Sequence, residues 1–246
     1  MLASPVAVLP GSTAMQGGSA YEPKWDGYRG LVHRTDDGCR LVSRNGNDLT
    51  DCFPDIAAAI CSQLPADAVV DGELVVWRGD RIDFTALGER LTARRRCPDL
   101  ARAFPATFMA FDVLRLEGVD LTRQPLHRRG PRWRSWPGTG ASRRGRCAAP
   151  GCPPLQLTPQ TTDVEVAQRW LQEYADVDVG VEGWSSRGSG RPTGPGRVAG
   201  ASSGSGIPGR PVVGAVIGGF AEPRRLVLRS PPAPCRRCGW PGSRCR

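Results

Sequence analysis

The chain has 246 residues, room for one large domain or two small ones at roughly 100–200 residues per domain. Its formal net charge of +9 comes with 31 glycines and 23 prolines, and no apolar run approaches the ~20 residues of a membrane-crossing helix. Residues 1–20 lack a basic n-region and are broken by Pro5, Pro10 and Gly11, which makes a poor signal peptide and leaves a flexible N-terminus and a cytoplasmic location as the expectation.

In chain order, residues 21–32 alternate around Lys24 and predict a strand, a turn at Asp26-Gly27 and a second strand. A short strand at 39–43 runs into Ser43-Arg44-Asn45-Gly46, where Asn-Gly signals a turn. Asp51 is expected to cap a helix whose apolar face is Phe53, Ile56, Ala57, Ile60 and Leu64. Residues 69–77 form a β-branched strand carrying Asp71, Gly72 and Glu73. A helix follows over 83–96 with Phe84, Leu87 and Leu91 inward, then a buried strand over 107–116. Residues 163–175 form an amphipathic helix with Val166, Trp170 and Tyr174 four apart, and 179–183 a strand. Two last strands are expected at 212–220 and 225–228. The sum is an α+β fold with strands in hairpin-like order and no βαβ alternation.

The charge is unevenly spread. Three stretches, 128–154, 185–211 and 224–246, hold 7, 4 and 7 arginines and no acidic residue, while 15 basic residues face 24 acidic ones elsewhere. Two explanations stand for them: disordered arms that hold nucleic-acid phosphates, or out-of-frame translation of a GC-rich gene. Patterned sequence resumes abruptly at Leu155 and at Val212, as a shifted frame would produce. The cysteines divide in the same way. Cys39, Cys52, Cys61 and Cys97 are scattered singly through the patterned part, as free thiols of a reducing compartment would be. Cys147, Cys152, Cys235, Cys238 and Cys245 fall in the anomalous stretches; Cys235 and Cys238 have zinc-knuckle spacing, but the spacings to Cys147 and Cys152 match no common zinc ribbon.

Lys24 is the only lysine, against 32 arginines. Arginine stays protonated and cannot act as a nucleophile, whereas a lysine amine that sheds its proton can attack an electrophile. A lone lysine beside Glu22, Asp26 and Gly27 therefore reads as a covalent catalyst; a survivor of arginine codon bias is the bland alternative. Asp71, Glu73, Asp112 and Glu182 interrupt apolar strands, where a carboxylate is costly unless paired or metal-bound. Glu73 and Glu182 can supply oxygen ligands to a hard divalent cation, and Phe111 an aromatic face for stacking. Together these make a nucleotide site in which an amine attacks phosphorus and expels pyrophosphate.

Glu22-Pro23-Lys24-Trp25-Asp26-Gly27-Tyr28-Arg29 resembles motif I of the covalent nucleotidyltransferases, which include ATP-dependent DNA ligases, RNA ligases and capping enzymes. Ser43-Arg44-Asn45-Gly46 resembles the ligase motif that follows. Asp71-Gly72-Glu73-Leu74 is similar to motif III, Phe111-Asp112-Val113-Leu114 to the next, and Val181-Glu182-Gly183 to motif IV. The wording is most similar to bacterial ATP-dependent DNA ligases of the ligase C and ligase D type. The resemblance implies an antiparallel-sheet adenylation domain over 21–184, interrupted by the anomalous, disordered 128–154. It also implies a truncated remnant of a C-terminal OB domain at 212–228, while composition sets apart a low-complexity segment at 185–211 and a disordered tail at 229–246.

The same resemblance implies that Lys24 forms lysyl-AMP, that Glu22 and Phe111 hold the adenine, and that Arg29 and Glu73 contact the ribose. Glu73 and Glu182 would support magnesium or manganese, and Arg44 would touch the DNA backbone. ATP is the implied cofactor, and nicked or broken double-stranded DNA the implied substrate of a monomer, with end-joining proteins such as Ku as partners in repair and recombination. The sequence departs from the family after Gly183: no lysines stand where motif V places two, and most of the OB domain has no counterpart. An impaired or relic ligase, or a non-catalytic Arg-rich nucleic-acid-binding protein, is the competing reading.

Overall fold

The computed structural model describes residues 4–6, 9–134, 154–177, 180–190, 200–203, 212–219 and 222–229. The chain divides into two units, Met1–Ser205 and Gly206–Arg246. Among the described residues no helix is long and apolar enough to cross a membrane.

The first unit is built on two sheets. The smaller contains β1 (Ser4–Val6) and β2 (Ser19–Trp25) together with β10 (Val181–Gly188) and β11 (Gly200–Ser203), in the order β1-β11-β10-β2. The larger contains β3 (Tyr28–Thr35), β4 (Gly38–Ser43), β5 (Ala68–Arg78), β6 (Arg81–Ile82), β7 (Ala106–Leu116), β8 (Val119–Asp120) and β9 (Leu155–Leu157). Its order is β4-β3-β5-β7-β8, with β6 on β5 and β9 on β7. Pairing is antiparallel except at β1–β11 and β7–β9.

Strand β5 organises both cores, because side chains alternate between the faces of a strand. Its Val70, Leu74 and Val76 pack with Ile56 and Ile60 of α1 (Pro54–Gln63) in one core. Its Val75 points the other way, into a second core of Tyr21, Trp25, Met109, Trp184 and Tyr174, the last on α5 (Val164–Val177). Burying aromatics of this size is worth about 3–5 kcal/mol each relative to alanine. On the same side as Val75, β5 also presents Asp71 and Glu73.

The strands around Lys24 do not form a hairpin. β2 pairs with β10 and β3 pairs with β4 and β5, so Asp26-Gly27 carries the chain from one sheet to the other. The reason is packing: Trp25 belongs to the second core and Val32 to the first. At the crossing a Cβ on Gly27 would lie 2.3 Å from the Leu74 carbonyl oxygen, which no side chain tolerates.

Helix positions differ from the periodicity in two places. Asp51 lies in a 3-10 turn, Thr50–Cys52, and α1 starts at Pro54 with no side-chain cap. Proline takes the first helical position because its missing N–H would have been unpaired there. The helix expected over 83–96 is α2 (Phe84–Thr92), capped by the Asp83 carboxylate accepting from the Ala86 N–H at 2.9 Å. A one-turn 3-10 helix (Arg94–Arg96) and α3 (Cys97–Ala103) follow. Phe84 is not inward; it is 46% exposed and stacks on Tyr28 at 5.5 Å.

All three stretches read as foreign are partly built into described elements. α4 (Leu126–Arg134) occupies the start of 128–154, and β10 runs on to Gly188, past the expected strand end. In the second unit β12 (Val212–Gly219) and β13 (Glu222–Arg229) pair antiparallel. The cysteines at 147, 152, 235, 238 and 245 lie outside the described residues.

Candidate active site

Every residue of β2 is buried except Lys24. The ladder sets Lys24 opposite Gly183 and Glu22 opposite Ser185 on β10. Val181 pairs with Trp25 and Gly183 with Lys24, so Glu182 is an extra residue, a β-bulge beside the lysine. Its side chain lies outside the described residues. A second bulge falls at Phe111: Asp112 pairs with Asp71 and Ala110 with Gly72, leaving Phe111 out of the ladder between them. The backbone can come this close because Gly72 has no Cβ, which would meet the Phe108 ring at 2.5 Å.

Beneath these positions lies a buried ionic network. Arg187 of β10, 5% exposed, donates from Nε to Glu22, from Nη1 to Asp112 Oδ2 at 3.1 Å, and from Nη2 to the Phe111 carbonyl at 2.7 Å. Glu22 and Asp112 are 3% and 4% exposed. Asp112 also receives Arg129 of α4, with Nε at 3.0 Å and Nη2 at 2.8 Å, and Arg129 is itself 2% exposed. Arg29 of β3 pairs with Asp71 at 2.9 and 2.5 Å. The guanidinium carbons of Arg29 and Arg187 stand 5.5 and 5.6 Å from the Phe111 ring centroid.

The electrostatics follow from this arrangement. Burial works against the Arg187 charge, but Glu22 and Asp112 outweigh it and hold the group protonated well above the ordinary arginine value. The hydrogen bond from Arg29 to Asp71 does the same for Arg29. Glu73 is the exception. Burial pushes its carboxyl up to about 8, against the pull of Arg29 and Lys24, and Asp71 and Asp26 push in the same direction as burial.

An open cleft of about 1340 Å³ adjoins the network, lined among others by Arg29, Arg44, Glu73 and Arg95. Arg40, Arg78 and Arg102 pair with Asp48, Asp83 and Asp99. Arg44 and Arg95 have no carboxylate partner among the described residues.

The structure thus brings Lys24, Glu22, Arg29, Glu73 and Phe111 together and sets Arg44 further along the cleft. Sequence reasoning assigned no role to Arg129, Arg187 or Arg95. The signal for the first two was present in Asp112, a carboxylate in an apolar strand that demanded a cation; for Arg95 it was the run Arg94-Arg95-Arg96.

A divalent cation would draw on Glu73. Burial first, and then the neighbouring Asp71 and Asp26, hold the proton on Glu73, and a bound cation would favour its ionised form against all three. Among the described residues no group of three potential ligands is already assembled. Arg187 ties Glu22 to the backbone of Phe111.

Two sheets with the nucleophile candidate on one and carboxylates on the other define an adenylation domain of the nucleotidyltransferase kind. A family model described as ATP dependent DNA ligase domain matches residues 1–184. The chain belongs to that family. DNA ligase C of Mycobacterium tuberculosis is 38% identical over 176 residues, 71% of this chain and 45% of the relative. DNA ligase C2 of Mycolicibacterium smegmatis is 39% identical over 158 residues, 64% of this chain and 42% of the relative. The chain therefore spans less than half the length of these two relatives. Among solved structures, mycobacterial DNA ligase D complexed with ATP and MES shares the fold with a TM-score of 0.56 at 22% identity, over 83% of this chain and 60% of that one.

Proposed function

We propose that the chain is an ATP-dependent DNA ligase acting through lysyl-AMP. The observation that carries the reading is the setting of Lys24: the only lysine is also the one exposed residue of an otherwise buried strand. It stands within electrostatic reach of Glu73, across the ladder from the bulge at Glu182.

In this reading adenine lies on Phe111 with Glu22 at its edge, and Arg187 fixes Glu22 so that it does not reorient. Arg29 and Glu73 meet the ribose. The deprotonated Lys24 amine attacks the α-phosphorus and pyrophosphate leaves. The adenylate passes from Lys24 to a 5′-phosphate at a nick, and the 3′-hydroxyl displaces AMP. Glu73 and Glu182 would hold magnesium or manganese, which when bound would supply charge neutralisation at the transferring phosphoryl oxygens. Arg44 meets the DNA backbone. The substrate is nicked or broken duplex DNA in repair or recombination, joined by a cytoplasmic monomer with end-joining proteins such as Ku as partners. Arg187 is committed to Glu22 and Asp112, so it does not stand in for the motif V lysines that bind the α-phosphate. The reading therefore includes slow adenylation.

The test is incubation with α-labelled ATP and magnesium, followed by denaturing electrophoresis, with Lys24→Ala alongside. An acid-labile, base-stable label absent from the variant is expected. Folded protein that takes no label but binds nicked duplex with steep salt dependence would replace the reading with a non-catalytic nucleic-acid-binding relic.

A further inference from the structure

Away from the cleft floor, two of the free thiols meet. Cys39 lies on β4 and is half-buried; Cys61 lies on α1 and is exposed. The Cys39 thiol donates to the Ala57 carbonyl at 3.2 Å. In an α-helix that carbonyl also accepts the N–H four residues on, which is Cys61's own. Two hydrogen-bond lengths in sequence therefore place the Cys39 sulfur no more than about 6 Å from the Cys61 nitrogen. Cys61 is near enough to act on the Cys39 thiol and, after burial, helps to raise it. Cys52 and Cys97 are buried. Cys97 spends its thiol on the carbonyls of Arg90 and Ala93.

We propose that Cys39 and Cys61 form a redox-modification site, a dithiol that a small-molecule disulfide converts to a disulfide stapling β4 to α1. The Cys61 thiolate, exposed to the oxidant, attacks one sulfur of the small disulfide, forming a mixed disulfide and releasing one small thiolate. The Cys39 sulfur then attacks the Cys61 sulfur, breaking the mixed bond and expelling the second small thiolate, which takes up the Cys39 proton. Two electrons leave the protein thiols and reduce one small disulfide to two thiols. The order is set by exposure and by acidity: burial, with the neighbouring Cys61, pushes the Cys39 thiol up to about 11, so it is the resolving and not the attacking group. The staple matters because β4 runs into Ser43 and Arg44 while α1 contributes Pro54 and Ala57, and all four line the same cleft.

The full chain is incubated with oxidised glutathione, alkylated, digested with trypsin without reduction and analysed by mass spectrometry. Cleavage after arginine yields residues 35–40, carrying Cys39, and 45–78, carrying Cys52 and Cys61. A linked pair of these peptides is expected, persisting in Cys52→Ser and lost in Cys61→Ser. The thermal midpoint of the oxidised chain is expected to rise by several degrees and to return with dithiothreitol, with no rise in Cys39→Ser. Glutathione retained on Cys61 with Cys39 still alkylated, or a linked peptide that survives Cys61→Ser, would overturn the proposal. Circular dichroism of each variant confirms that folded protein is being compared.

Discussion

Replacing Asp112 by asparagine tests the network beneath the site most directly. Three carboxylates, Glu22, Asp71 and Asp112, balance three guanidiniums, Arg29, Arg129 and Arg187, and Asp112 is the member that joins α4 to β10. Asparagine keeps the shape, but turns an N–H toward guanidinium donors that now sit at 2.8 to 3.1 Å from oxygen. It also leaves one buried positive charge uncompensated. Removing one partner of a buried ion pair costs about 3–5 kcal/mol, a large share of a total stability of roughly 5–15 kcal/mol. For a domain of this size that is a fall of roughly 6–20 °C in Tm. Urea unfolding followed by tryptophan fluorescence reports it well, because Trp25, Trp170 and Trp184 lie in or against the second core. The midpoint should fall with the slope unchanged. Arg102→Ala, at the exposed pair with Asp99, is the control and should cost less than about 1 kcal/mol. If Asp112→Asn falls within that range, the network does not stabilise the fold as argued.

Three further outcomes follow from the same geometry. Because the fold raises the Glu73 carboxyl from 4.5 to about 8, it favours the protonated form; stability should therefore fall as pH rises across that window and level off above it, and Glu73→Gln should remove this fall in urea titrations at stepped pH. Gly27→Ala places a Cβ 2.3 Å from the Leu74 oxygen, and should lower stability by about 1–3 kcal/mol or more, together with the yield of labelled adduct. Arg44→Ala and Arg95→Ala should each reduce the slope of log affinity for nicked duplex against log salt by about 0.9, as read by fluorescence anisotropy, and leave adduct formation unchanged.

Much of the fold was legible because β5 and β7 are long and β-branched, and because Ile56 and Ile60 recur at helical spacing. What could not be read was which strands pair. Alternation identifies β2 and β3, yet the turn between them looks like a hairpin turn; only the division of Trp25 and Val32 between two cores separates their sheets. The site residues on the motifs were visible as types, but two of them, Phe111 and Glu182, stand at bulges, where alternation fails by construction. The arginine-rich stretches show the opposite limit. Composition marked residues from Arg128 and Ser185 onward as foreign, since periodicity detects local faces and not distant ion pairs. Arg129 and Arg187 nonetheless converge on one buried carboxylate from segments far apart in the chain. That convergence gives Arg129 and Arg187 a place in the fold that composition did not reveal.

The pairing of β2 with β10 also orders events during synthesis. Glu22 and its partner Arg187 are 165 positions apart, and a ribosome adding roughly 5–20 residues per second needs on the order of 8–33 s to cover that distance. Throughout this interval the lysine-bearing strand lacks β10 along one edge and Glu22 lacks Arg187. The nucleophile is thus made early and its setting late, so a nascent chain released before β10 carries the reactive residue without the pocket that would use it.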